Sequence, residues 1–499
     1  MGGGIKRLAK ETAVYGLSSI LGRFLNWLLV PMYVRVLAEP ADYGIVTNLY
    51  GWAALVLVLL TYGLETGFFR FINKEEEKPA QVYATTLFSI STTAFIFILG
   101  IFVFLHPVSD WLGYMQTPEY ILMFGVILAL DAISSIPFAY LRYRKRPFRF
   151  AGIRLLSIFL NIFLNIFFLV LCPWLSIYAP ALVNWFYVPD YGIGYIFVAN
   201  VATSVITFLL LLPEIKVCLG VKPDFVLLKR MLKYSFPILI LGLAGVLNQS
   251  VDKILFPFLF DDRDYANEQL GIYGACFKIA VVMVMFIQAF RYAYEPFIFS
   301  KNKGEDNRKA YAEAMKYFII FALLIFLGVM FYLDLLKHFV VPEYYPGLRV
   351  VPVIMLGELF FGIYFNLSLW YKLTDQTQWG AYFSIIGCMI TVGIIISFVP
   401  VYGFMACAWA SFVCNLVMML LSYFVGQKKY PVKYDLKSAA VYLFVAALFY
   451  VAGMLPDIKS EMLRLGYRTV LLVLYIGFII KRDLPLRDLP YIGRFMKYK

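Results

Sequence analysis

Fourteen apolar runs, each long enough to cross a bilayer, leave this chain little choice of fold. They lie at 12–34, 43–67, 81–105, 118–141, 151–173, 192–213, 234–257, 272–299, 312–333, 350–372, 380–399, 403–426, 437–455 and 465–480. A hydrocarbon core of about 30 Å takes about 20 helical residues to cross. No water is available there to backbone amides, so each run must close its hydrogen bonds within itself, as a helix. The connections run to roughly 20 residues at most, too short for a folded extramembrane domain. Hydrophobic residues make up 62% of the 499 and charged residues only 15%, which excludes a soluble enzyme held by a single anchor. The expected class is an all-α integral membrane protein whose function sits inside the bilayer.

Orientation follows from Lys and Arg, which concentrate in cytoplasmic loops. With the N-terminus inside, 33 of the 44 basic residues fall in cytoplasmic loops and span ends, 8 in outer loops and span ends, and 3 lie deeper within spans. Flipping the chain or deleting one span destroys this segregation, so both termini are expected in the cytoplasm. The net charge of +13 is then a topology signal and an attraction to anionic inner-leaflet lipid, and nucleic acid is not an expected partner. The first run is too long for a signal h-region and contains Arg23, so it is expected to remain as a helix.

A short repeat suggests two halves. LGRFLNWLLVP, ending at Pro31, leads to DYGIVTNLYGW, while AGVLNQSVDKILFP, ending at Pro257, leads to QLGIYGACFKI, at an offset of 226 to 227. Six intervening spans make the copies parallel, related by an axis along the membrane normal. The expected organisation is a first six-helix lobe at 1–220, a second at 221–430, and helices thirteen and fourteen with a cytoplasmic tail at 431–499.

An ionised group at the centre of a span costs at least about 2.5 to 3.5 kcal/mol, so each such residue needs water, a partner or a ligand. The candidates are Arg23, Glu65, Asp131, Asp252, Lys278, Arg291, Glu295 and Glu358, with Arg70 and Lys253 at helix ends. Asn26, three residues beyond Arg23, extends a polar face. Bland readings stand beside the functional ones: Arg291 and Glu295, four apart, can neutralise each other. Lys278 can snorkel to the interface. Asp252 and Lys253 can be an end-of-helix pair, and Arg23 can pair with Asp131. Six scattered cysteines show no metal spacing, and two histidines cannot make a metal site alone. Neither a metal nor a cofactor is expected.

The stretch YGLSSILGRFLNWLLVPMYVRVLAEPADYGIVTNLY, followed by YGLETGFFRF, NQSVDKILFPF, LGIYGACFKIA and AYEPFIF, resembles the polysaccharide-transporter branch of the multidrug/oligosaccharidyl-lipid/polysaccharide exporter superfamily. This branch contains the O-antigen and capsule-type flippases of bacterial inner membranes. The resemblance spans essentially the whole chain and implies a V-shaped pair of six-helix bundles, plus two C-terminal helices, around a cavity that opens alternately to each side. The implied cargo is undecaprenyl-diphosphate-linked oligosaccharide, moved from cytoplasm to periplasm. Arg23, Arg70, Lys253, Lys278 and Arg291 are then the cations expected near diphosphate. Asn26, Glu65, Asp131, Asp252, Glu295 and Glu358 are expected as cavity polar groups or coupling sites, with Arg291 and the Tyr294-Glu295 step matching no family role. The resemblance leaves open a proton or sodium counter-ion and a polysaccharide polymerase as partner.

Two other readings fit parts of the pattern. A drug or organic-cation antiporter of the same superfamily wants acidic groups without a central Arg, and Arg23 argues against it. A membrane-embedded glycan polymerase needs a sizeable outer loop with catalytic groups, yet 172–191 holds one acid, Asp190, and no base.

Overall fold

The computed structural model describes residues 21–483 apart from 23, 38, 75, 76, 219, 302–306 and 375, and omits the side chains of 190, 293, 295–301 and 307. Among the described residues thirteen helices are long and apolar enough to cross a membrane, preceded by a shorter apolar helix, Phe24–Val36. The all-α expectation is met. The described count is thirteen and not fourteen, because residues 12–20 and 23 of the first expected run lie outside the described residues and what is described of it is the shorter helix Phe24–Val36.

Proline marks many of the beginnings. Helices α1 (Pro40–Thr61), α3 (Pro79–Val103), α4 (Pro118–Tyr143) and α5 (Pro147–Ile166) each start on one, where the missing amide hydrogen is no loss and φ is already helical. The second expected span is broken. Tyr62 and Gly63 both take positive φ, ending α1 and starting α2 (Leu64–Ile72), a left-handed exit that Gly63 adopts without steric cost. Helix α5 passes through a π-helical turn at Phe167–Leu171 before continuing to Tyr178. Such turns concentrate at functional positions.

The remaining long helices are α6 (Gly194–Lys216), α7 (Phe225–Leu255), α8 (Arg263–Lys301), α9 (Asn307–Phe331), α10 (Val350–Leu367), α11 (Gln378–Tyr402), α12 (Phe404–Lys429), α13 (Leu436–Met454) and α14 (Glu461–Arg482). They pack as two compact units, residues 1–275 with 388–407, and 276–387 with 408–499.

In the first unit, α4 lies against α3, α5 and α6, and α5 lies against α6. Helix α7, which follows the repeat boundary expected at 220, packs on α1, α2 and α3. Asp224 caps it by accepting from the amides of Val226 and Leu227, an N-cap worth about 1 kcal/mol. Where the repeat copies meet, backbone touches backbone: a Cβ on Gly44 would land on the Asn267 carbonyl, and one on Gly271 on the Pro40 carbonyl. Asn48, fully buried, donates to the Lys253 carbonyl at 2.7 Å and accepts from Tyr114 Oη at 2.9 Å, tying α1 to the end of α7.

In the second unit, α9 packs on α10, α13 and α14. Ion pairs hold the last hairpin at both ends. Asp334 accepts from Arg464 and Arg468, each at 2.7 Å. Asp483 accepts from Lys316 at 2.8 Å and from Tyr442 at 2.6 Å.

Gly44→Ala and Gly271→Ala should each destabilise the protein by about 1 to 3 kcal/mol through overpacking, read as a lowered thermal midpoint in detergent. Gly466→Ala, whose Cβ would meet nothing, should leave the midpoint unchanged or slightly raised. Equal effects at all three positions would contradict the close crossing.

Candidate functional site

Helix α5 carries Arg154, Ser157, Asn161 and Asn165 at spacings of three, four and four. At about 100° per residue these occupy a stripe about 80° wide, and it runs about 16 Å, half the hydrocarbon thickness. The opposite face presents Leu156, Phe159, Phe163 and Ile166, all exposed. One face suits lipid; the other must face protein or water.

Each stripe residue has an answer on a neighbouring helix. Asn165, fully buried, accepts from Tyr33 Oη at 3.0 Å, and its amide nitrogen lies 3.2 Å from Asn161 Oδ1. Asn161 donates to Asn200 Oδ1 at 2.7 Å, and Asn200 donates to Tyr50 Oη at 2.7 Å. Ser157 and the Thr207 hydroxyl are 2.6 Å apart. Four amide and phenol groups from α5, α6 and α1, with Tyr33 from the helix Val30–Val36, thus form one continuous file. A net contribution of about 1 kcal/mol per bond makes the file a few kcal/mol of cohesion.

The file ends in charge. Ser204 donates to Asp131 Oδ1 at 2.9 Å, and Asp131 stands fourteen residues into α4, about 20 Å from its start. Arg154 lies over the Phe138 ring at 4.3 Å and within electrostatic range of Asp131, Glu65 and Arg142. Glu65 and Arg142 form an ion pair. Asp131 and Arg154 are exposed in spite of their depth. Exposure to hydrocarbon would cost each of them several kcal/mol, so the surface they line is an aqueous one. Two arginines and two carboxylates give a neutral cluster whose donors are free to exchange partners.

The other expected residues are held elsewhere. Asp252, buried at the end of α7, accepts from Tyr273 Oη at 2.7 Å and from Lys253 Nζ at 3.0 Å, which is the end-of-helix pair. Arg70 lies over the Tyr234 ring at 4.1 Å and Arg291 over Phe365 at 4.7 Å. Lys278 and Glu358 are half-buried, and Asn26 is exposed. Arg23 and the side chain of Glu295 lie outside the described residues.

Sequence reasoning missed Arg154 and Arg142 as site residues. Arg142 stands in a cluster of basic residues at a helix boundary and reads there as a topology signal, while Arg154, close behind it near the start of the fifth run, does not stand out from that cluster. The spacing of polar residues along α5, and of Asn200, Ser204 and Thr207 along α6, was the available sign.

Residues 8–301 match the family model described as "Polysaccharide biosynthesis protein", and residues 264–399 match that of MatE. No curated protein matches the sequence. Solved structures share the fold, three of them as follows. The Lipid II flippase MurJ in an inward closed conformation is 14% identical, with 94% of this chain and 98% of that one covered, at a TM-score of 0.71. An inward-facing multidrug resistance MATE family transporter of the MOP superfamily is 14% identical, with 81% and 93% covered, at 0.63. An outward-facing one is 13% identical, with 85% and 94% covered, at 0.57. At these identities the likeness is one of fold.

Asn165→Leu should strand the Tyr33 hydroxyl and one Asn161 acceptor and cost about 1 to 3 kcal/mol, seen as a lower thermal midpoint, whereas Phe163→Leu on the opposite face should change it by less than about 0.5 kcal/mol. An unchanged midpoint for Asn165→Leu would contradict the file.

Proposed function

The chain belongs to the polysaccharide biosynthesis protein family, and from that premise we propose that it is an alternating-access flippase. It carries undecaprenyl-diphosphate-linked oligosaccharide from the cytoplasmic to the periplasmic leaflet of a bacterial inner membrane, for surface polysaccharide synthesis such as O-antigen. Its two lobes, expected at 1–220 and 221–430, give access to each side in turn, with both termini cytoplasmic.

The observation that carries this reading is the polar stripe of α5 with Arg154 at its foot, beside Asp131, Glu65 and Arg142. A lipid diphosphate with a glycan cannot cross hydrocarbon unaided, since each desolvated hydroxyl costs several kcal/mol and the charges far more. Arginine remains ionised in a poorly hydrated site and presents two parallel donors to phosphate oxygens. Arg154 and Arg142 bind the diphosphate, while Asn161, Asn200 and Tyr50 exchange their mutual bonds for bonds to sugar hydroxyls. Arg23, Lys278 and Arg291 are further cations of the same pathway. With cargo absent, Asp131 and Glu65 neutralise the arginines, so the empty carrier returns without uncompensated charge. Asp131 and Asp252 are the carboxylates we assign to counter-ion uptake, proton or sodium, and a polysaccharide polymerase is the partner expected to receive the cargo.

A drug or organic-cation antiporter is the competing reading. It requires carboxylates free to meet a cation, and the arginines beside Asp131 and Glu65 oppose that.

The test is reconstitution in liposomes with fluorescent undecaprenyl-diphosphate oligosaccharide, with flipping read as protection from an external glycosidase. Arg154→Gln should reduce apparent affinity roughly 10- to 100-fold, the factor for losing a charge-assisted contact of about 1.5 to 3 kcal/mol, at normal abundance. Asp131→Asn should tighten binding of the same cargo roughly tenfold by removing a competitor for Arg154. Wild-type flipping by well-folded Arg154→Gln would remove this site from the mechanism.

A further inference from the structure

Outside the polar file, α5 and α6 enclose a second feature on their outer side. A groove of about 280 Å³ is lined by Arg149, Gly152, Ile153, Leu156 and Leu210. Its floor is open: a Cβ on Gly152 would meet no atom within 4 Å. The lining is apolar except at one end, where Arg149 is bonded to Glu214 at 2.7 Å and 3.1 Å.

Just before Arg149 the chain turns through Arg144, Lys145 and Arg146, all exposed. None of the three forms an ion pair with a carboxylate among the described residues. Phe148, 72% exposed, stands between this turn and the groove, as an aromatic ring does at a membrane interface. Three uncompensated cations therefore lie on the turn three to five residues before Arg149, the residue at the polar end of the apolar slot.

We infer that this groove is a binding site for an anionic diacyl phospholipid, with one acyl chain along Gly152, Ile153, Leu156 and Leu210 and its phosphate at the Arg144–Arg146 turn. The occupant is set by complementarity. A zwitterionic lipid fills the slot equally well but leaves the cations unanswered, whereas a net negative headgroup gains about fivefold in affinity for each cation at the surface. Glu214 occupies Arg149, so that residue orients the turn while the phosphate is left to Arg144, Lys145 and Arg146. The groove faces away from the Arg154 stripe, and its occupant is a bound membrane lipid, distinct from the transported cargo.

The test is native mass spectrometry of the purified full chain with equimolar phosphatidylglycerol and phosphatidylethanolamine. The chain should retain one phosphatidylglycerol with at least about fivefold preference. Gly152→Phe should abolish that retained lipid by filling the slot. Arg144→Gln, Lys145→Gln and Arg146→Gln together, on an exposed turn with no packing to lose, should erase the preference while leaving the slot. Equal retention of the two lipids by the wild type, or a preference that survives both variants, would overturn the assignment. So would displacement of phosphatidylglycerol from the groove by undecaprenyl phosphate, which would make it a cargo site.

Discussion

Every polar side chain within the span of this protein faces the same demand: hydrocarbon offers it no partner. Helix α5 meets that demand by dividing itself lengthwise, with Arg154, Ser157, Asn161 and Asn165 on one side and Leu156, Phe159, Phe163 and Ile166 on the other. The rest of the first unit is arranged around that division. Helices α4 and α6 lie against α5 and supply Asp131, Asn200, Ser204 and Thr207. Helix α1 and the helix before it reach the same file through Tyr50 and Tyr33. Were any of these helices rotated by a quarter turn, an amide or a carboxylate would be left facing lipid at a cost of several kcal/mol.

The charge balance of the cluster decides what it suits. An isolated guanidinium at this depth would bind a diphosphate tightly and hold it, and the empty protein would carry the full desolvation penalty. Arg154 and Arg142 instead stand among Asp131 and Glu65, so under the proposed function an incoming anion would replace carboxylates already present and bind with moderate strength, as a carrier that must release its cargo requires. The same arrangement penalises a cationic cargo, whose approach to Asp131 is opposed by its arginine neighbour.

The apolar runs were legible because membrane helices announce themselves by composition, and the described spans fall where those runs lie, from the broken second span at 40–72 to the last at 461–482. The family was legible from the repeated stretches, of which Gly44 and Gly271 prove to be points of backbone contact. The site was legible only in part. Glu65 and Asp131 stood out as carboxylates within apolar runs, but Arg142 lies at a helix end where basic residues are ordinary and Arg154 only two turns into α5, and only their neighbours on other helices bring them into the candidate site. Lys253 was equally visible and is bound to its own neighbour Asp252, a distinction that depends on side-chain direction and not on spacing. The groove between α5 and α6 has no linear signature, since it is made by the absence of a side chain at Gly152 facing Leu210 on another helix.

The claim on which the account rests is that the polar side of α5 faces water at its charged foot, where Asp131 and Arg154 are exposed. It is tested by placing single cysteines at 131, 154, 159 and 163 in a chain whose six native cysteines have been replaced, and measuring modification by a charged methanethiosulfonate in proteoliposomes. The account predicts reaction at 131 and 154 and protection at 159 and 163. Protection at 131 and 154, or reaction confined to 159 and 163, would contradict it.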